Sequence, residues 1–232
     1  MIPLKDEPQT RSAPMVTVAL LLLNILAFLY EVSLGPQLEL FVRAYGAVPL
    51  EIVTGRDLGP PAPLGIPYLT LFTSMFLHGG LLHLASNMLY LWIFGDNVED
   101  AFGHLGYLLF YFVCGIGAHL AQIAIDPTSQ VPSIGASGAI AGILGAYIVL
   151  FPSAQVRTLL FLGPLILLPR IPALVLIGVW FLTQLVSGLG QLGIATETGG
   201  VAFRAHIGGF VVGALLTLLF RPRPRTTRAA FR

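Results

Sequence analysis

The sequence predicts an all-α polytopic membrane protein, a six-transmembrane-helix bundle with a long interfacial first loop. Three observations predict it. The chain has 232 residues, of which 56% are hydrophobic and 10% charged, where an ordinary soluble domain carries about 25% charge. Its apolar residues fall into six runs separated by Gly, Pro and polar breakers. Backbone in lipid must satisfy its own hydrogen bonds, which makes each run a helix. Its cations also divide unevenly between the two sides that six spans create. One side holds Lys5, Arg11, Arg157, Arg170, Arg221, Arg223, Arg225, Arg228 and Arg232; the other holds Arg43, Arg56 and Arg204. The positive excess marks the cytoplasmic side and places both termini there.

The elements follow in chain order. Residues 1–14 form a cytoplasmic N-terminal segment. The first span covers 15–34; charged residues precede it and no small-residue cleavage site follows, so it reads as an uncleaved span rather than a signal peptide. Residues 35–67 mix polar and apolar positions around Gly59-Pro60-Pro61-Ala62-Pro63, which predicts an interfacial loop with short helices. The second span covers 69–94 and stops at Gly95-Asp96; the third covers 105–125. The fourth is the short run that begins at Ser137 and ends at Phe151, before Pro152. Residues 153–170, interrupted by Arg157, Gly163, Pro164 and Pro169, predict an interfacial return with a partial helix. The fifth span covers 172–189 and a loop at 190–204 follows; by position, span and loop together are placed to act as a gate. The sixth covers 205–220, which closes a domain of residues 15–220, and residues 221–232 form a basic cytoplasmic tail.

The polar residues inside these runs carry the chemistry, because a polar side chain in lipid costs free energy unless it is paired. Ser137 lies in Gly135-Ala136-Ser137-Gly138, and His206 in Ala205-His206-Ile207-Gly208-Gly209. If both helices end at one membrane boundary, each residue lies about 21 Å above it, within a hydrocarbon core of roughly 30 Å. A hydroxyl and an imidazole at one depth read as nucleophile and general base of a serine hydrolase. Gly138-xxx-Gly142 and Gly209-xxx-Gly213 let the two helices approach closely enough for them to meet. No carboxylate lies in the apolar body of these spans, so a Ser137–His206 dyad is the simpler reading.

His83 and Asn87 are spaced i,i+4 on the second span and share a face. With that helix ending at Gly95, His83 sits about 18 Å above its end, close to the depth of the dyad. The two side chains read either as donors to an oxyanion or as bonds between neighbouring helices. Glu99 reads as a tie on the loop between the second and third spans, through backbone amides. Cys114 is the single cysteine, so no internal disulfide forms, and no Cys/His cluster supports a metal. Nothing points to a cofactor or to nucleic acid. A transporter or channel would carry more charged residues along a pathway and inverted repeats, and the sequence has neither.

The ordered strings Gly135-Ala136-Ser137-Gly138, Ala205-His206-x-x-Gly209 and His78-x4-His83-x3-Asn87 resemble the motifs of the rhomboid family of intramembrane serine proteases, with matching spacing and topology. The resemblance implies a six-helix fold with a membrane-dipping first loop, in a bacterial cytoplasmic membrane. It implies Ser137 as nucleophile, His206 as base, and His83, Asn87 and the Ser137 N–H as the oxyanion hole. His78 and Glu99 match positions with structural roles, and Gly135, Gly138 and Gly209 support the site. Substrates would be single-pass membrane proteins cut near the outer face, often beside a small residue. The competing expectation is a catalytically inactive relative that binds membrane clients. Two positions depart from the family pattern. Thr70 stands where many members carry arginine, and Ala141 stands where many carry an aromatic that packs on the histidine.

Overall fold

The computed structural model describes residues 1–8, 10–190, 203–220 and 222. Most of the loop that belongs to the expected gate, and the basic tail apart from residue 222, lie outside these described residues. Strand β1 (Ile2–Asp6) is followed by α1 (Met15–Ser33), the short helices α2 (Leu38–Tyr45), α3 (Pro49–Thr54) and α4 (Thr70–Thr73), then α5 (Leu81–Phe102), α6 (His104–Ile125) and α7 (Ser137–Leu150). Strands β2 (Gln155–Leu162), β3 (Leu165–Leu167) and β4 (Arg170–Pro172) precede α8 (Ala173–Gly190) and α9 (Phe203–Phe220).

Helices α1, α6 and α9 are each long and apolar enough to cross a membrane. A fourth span arises if the segment Pro67–Phe76 and α5, bent by 81° to one another, count as one. Helix α7 and the apolar part of α8 are shorter. At the centre stands α7, where every residue from Gly138 to Tyr147 is buried. A helix apolar all round and small along its length can be enclosed on every side. Around it Leu91 and Phe94 of α5, Tyr107 and Tyr111 of α6, and Phe210 of α9 close a core that includes Ile143 and Leu144 of α7.

Three expectations are corrected. The second span does not run from 69 to 94. Its first part is broken off at Leu77–Gly80, where the chain leaves helical geometry and two glycines offer poor helix propensity. Its end lies beyond Gly95-Asp96, because polar residues there find distant partners. Asn97 donates to Asp6, and Asp100 accepts from the Ser12 backbone N–H at 3.0 Å and from its hydroxyl. His83 therefore sits in the first turn of a 22-residue helix, and its depth cannot be counted from Gly95. Residues 153–170 form no partial helix but a β-ribbon, so the fold is mostly helical rather than all-α. Strand β2 pairs antiparallel with β1 on one edge and with β4 and then β3 on the other.

The N-terminal strand is thereby bound to the bundle. Buried Asp6 accepts 2.6 Å hydrogen bonds from Asn97 Nδ2 and Tyr147 Oη. Burial pushes its carboxyl up from 3.8 to about 7, against the Tyr147 hydrogen bond, and nearby Asp96 adds to the rise. An acid whose folded pKa is raised favours the fold when protonated. Its contribution is full below about pH 4 and is lost as pH rises through about 7. Asp6→Asn keeps an oxygen for both donors and abolishes this titration. Thermal unfolding measured across that window should show the parent losing stability with rising pH, by at most ~1.4 kcal/mol per pH unit. The variant should lack that component; the same slope in both proteins would remove Asp6 from the account.

Candidate active site

The site is built where the start of α7 meets the start of α9. Before α7, Gly135 takes φ +121°, a conformation other residues rarely adopt, and its N–H donates to the Ser74 carbonyl at 2.9 Å. This turn makes Ser137 the first residue of α7, where backbone N–H groups have no intrahelical acceptor and the helix dipole favours negative charge. His206 lies in the first turn of α9 and is buried. The two helices touch backbone to backbone. A Cβ on Gly209 would strike the Gly138 carbonyl oxygen, and one on Gly213 the Gly142 carbonyl. Gly138 also faces α6, where a Cβ would come within 2.5 Å of Ala118 Cβ.

That approach sets Ser137 Oγ 2.7 Å from His206 Nε2. The other ring nitrogen, Nδ1, lies 2.7 Å from Gln184 Oε1 on α8. An amide oxygen only accepts, so Nδ1 carries the proton and donates, and Nε2 is left to accept from the serine hydroxyl. One turn earlier on the same face of α8, Trp180 lies against the imidazole, with ring centroids 6.0 Å apart and planes inclined by 31°. Phe203 meets it edge-on.

His83 and Asn87 join the same cavity, whose volume is about 1300 Å³. His83 Nδ1 accepts the Gly79 N–H at 3.2 Å, so a neutral ring carries its proton on Nε2. That edge faces Gly135, where a Cβ would come within 2.9 Å of ring atoms Cε1 and Nε2. Asn87 is buried, and its Nδ2 has no acceptor among the described residues. The cavity thus combines a hydroxyl bonded to an imidazole acceptor with two side-chain donors.

Two of the remaining expected residues lie outside the reacting group. His78 packs edge-on to His83 at 5.1 Å; its backbone N–H donates to both carboxylate oxygens of buried Glu31 at 3.2 Å. Glu99 is at the far end of α5 and corrects the expected loop tie. It accepts from the backbone N–H groups of Val16 (2.9 Å) and Thr17 (2.8 Å) and from the Thr17 hydroxyl. Its bond toward the loop after α5 is with the His104 side chain, at 2.6 Å. The reason is local: α1 begins after Pro14 with no side-chain cap of its own, and its first N–H groups need an acceptor.

Gln184 and Glu31 escaped the sequence reading, and Trp180, which reads there as a packing residue of its span, was not connected with His206. The signal for Gln184 was present: an amide inside an apolar span needs a partner by the same rule that exposed His206. The two departures have counterparts. The face of His206 is met by Trp180 rather than by a residue at position 141, which is a fully buried Ala. Thr70 is buried and donates to the Pro67 carbonyl at 2.6 Å, closing its own short turn.

Comparison with known proteins gives one family. Residues 67–223 match the Rhomboid domain. The chain is 28% identical over 202 residues to Rhomboid protein 1, mitochondrial, of Saccharomyces cerevisiae, covering 85% of this chain and 51% of that protein. It is 30% identical over 206 residues to Rhomboid protease GluP of Bacillus subtilis, covering 88% and 35%. Rhomboid protease AarA of Providencia stuartii is 28% identical over 232 residues, covering 93% and 75%. The chain thus spans about half or less of the first two relatives and three quarters of the third. Its apolar spans and the domain match together make it an integral membrane protein that belongs to the rhomboid family.

Proposed function

We propose that this chain is an intramembrane serine endopeptidase that cuts peptide bonds in or next to transmembrane segments through a Ser137–His206 dyad. The observation that carries the reading is the 2.7 Å contact between Ser137 Oγ and His206 Nε2, at the wall of a cavity among apolar helices. Names of relatives add weight, since two are called rhomboid proteases. His206 takes the Ser137 proton as Oγ attacks the scissile carbonyl, then returns it to the leaving amine. His83 Nε2–H, Asn87 Nδ2–H and the Ser137 N–H receive the oxyanion. His78 and Gly135 hold the donors in place, and Gly138 and Gly209 bring the two helices together. The proposal includes six spans and both termini on the cytoplasmic side of a bacterial cytoplasmic membrane, supported by the nine-to-three division of cations. Substrates are single-pass membrane proteins, and weak helix formers near the cut lower the cost of unwinding.

Purified protein offered a fluorophosphonate and a transmembrane substrate tests the reading. Modification at Ser137 together with cleavage supports it; neither, in folded protein, favours an inactive client-binding protein.

Gln184 serves this dyad by fixing the tautomer. Gln184→Leu removes the acceptor for Nδ1–H and should lower kcat by roughly 10- to 100-fold with little change in KM. That is less than the about 10⁴ lost when a triad carboxylate is replaced, because a neutral amide does not offset an imidazolium charge. Gln184→Glu, which retains an acceptor, should recover part of the rate. Equal kcat in parent and Leu variant would make the contact a packing bond.

A further inference from the structure

We propose that the hairpin of β2 and β3 is a lipid anchor, with its tip at the headgroup–acyl boundary and its base holding anionic phospholipid headgroups. The proposal is independent of the peptidase reading and requires only that the helices span a bilayer. The tip is apolar on both faces. Phe161, Leu162, Leu165, Ile166 and Leu168 are each at least half exposed, and register pairs Phe161 with Ile166 and Leu162 with Leu165. Successive residues of a strand point to opposite faces. A docked protein would cover one face of such a ribbon, whereas acyl chains solvate both.

The base carries the complementary charge. Lys5, Arg157 and Arg170 stand opposite one another across β1, β2 and β4, on one face of the sheet. Like charges in that position repel. Glu7 answers Arg170, at 3.3 Å from its Nε. Neither Lys5 nor Arg157 forms an ion pair among the described residues. An anionic headgroup supplies what the row lacks. The geometry suits a bilayer edge: β2 starts five residues after α7 ends, and β4 runs directly into α8. Phe161 lies four residues beyond Arg157 on the same face, about 13 Å along the strand. That spacing sets a basic row at headgroup level and an apolar tip roughly 5–10 Å into the boundary. The outer edge of β3, which pairs with no strand among the described residues, keeps the ribbon from going deeper, where unsatisfied backbone is costly.

The test uses the full chain in nanodiscs of phosphatidylcholine, with and without phosphatidylglycerol. A nitroxide is placed on Phe161→Cys or Ile166→Cys, the native Cys114 being fully buried. The label should collide with oxygen and be shielded from a water-soluble nickel complex. A label open to nickel places the hairpin in water and overturns the proposal. A label shielded from both probes places it against protein, a second copy or another partner, and overturns it equally. For the base, competition between spin-labelled phosphatidylglycerol and phosphatidylcholine should show the preference for the anionic lipid falling about fivefold for each of Lys5→Gln and Arg157→Gln. An unchanged preference would remove the headgroup site.

Discussion

Ser137→Ala should abolish cleavage of a transmembrane substrate while leaving the protein folded. In the proposed mechanism its hydroxyl oxygen forms the covalent bond, and two other serines of this region are already engaged. Neither Ser74 nor Ser86 is available: Ser74 is fully buried against His119 at 3.0 Å, and the Ser86 hydroxyl donates to the His83 carbonyl at 2.9 Å. In soluble serine proteases, loss of the nucleophile costs about six orders of magnitude in kcat. A dyad without a carboxylate starts from a lower rate, so the expected fall ends at the detection limit. The substitution removes one oxygen at the first position of α7, whose packing rests on Gly138 through Tyr147. Melting temperature should therefore stay near that of the parent. Cleavage by pure Ser137→Ala protein at more than about a thousandth of the parent rate would overturn the nucleophile assignment, given that scale.

Much of this arrangement was legible because lipid makes polar residues conspicuous. Ser137 and His206 could be matched by counting residues from two helix ends, and the helices that carry them have nearly the expected bounds. Their glycines read as a close approach, and the backbones do touch. The same counting failed for His83 because it assumed that Gly95-Asp96 ends a helix. Whether Asn97 and Asp100 end a helix or extend it depends on distant partners. Asp6 and Ser12 supply them from about ninety residues away. The β-ribbon was hidden for a related reason. Strand β2 reads as apolar sequence with one arginine, and its pairing with β1, some 150 residues earlier, is one that no local pattern announces. Gln184 was hidden by neither cause; it lay in a span judged apolar as a whole, and its partner is on another helix.

Asn87→Ala should lower kcat far more than it changes KM, and this separates a catalytic donor from a bond that merely joins helices. Asn87 is buried at the cavity wall, with an amide nitrogen that has no acceptor among the described residues. A helix-joining amide would be bonded already, since leaving a buried donor unmade costs about 1–3 kcal/mol. A donor held for a transition state meets its acceptor only when the oxyanion forms, and such a bond accelerates the chemical step without tightening substrate binding. Loss of one such donor is worth roughly 10²–10³ in kcat. His83, one turn away with its Nε2 edge at Gly135, remains in the variant and holds the loss toward the lower end. Removing an orphan donor also relieves its burial cost, so the melting temperature of Asn87→Ala should equal or exceed that of the parent. The helix-packing reading requires the reverse pair of results: a lower melting temperature and an unchanged rate per folded molecule. Rate and melting measured on one preparation decide between them, and an unchanged kcat would take Asn87 out of the oxyanion hole.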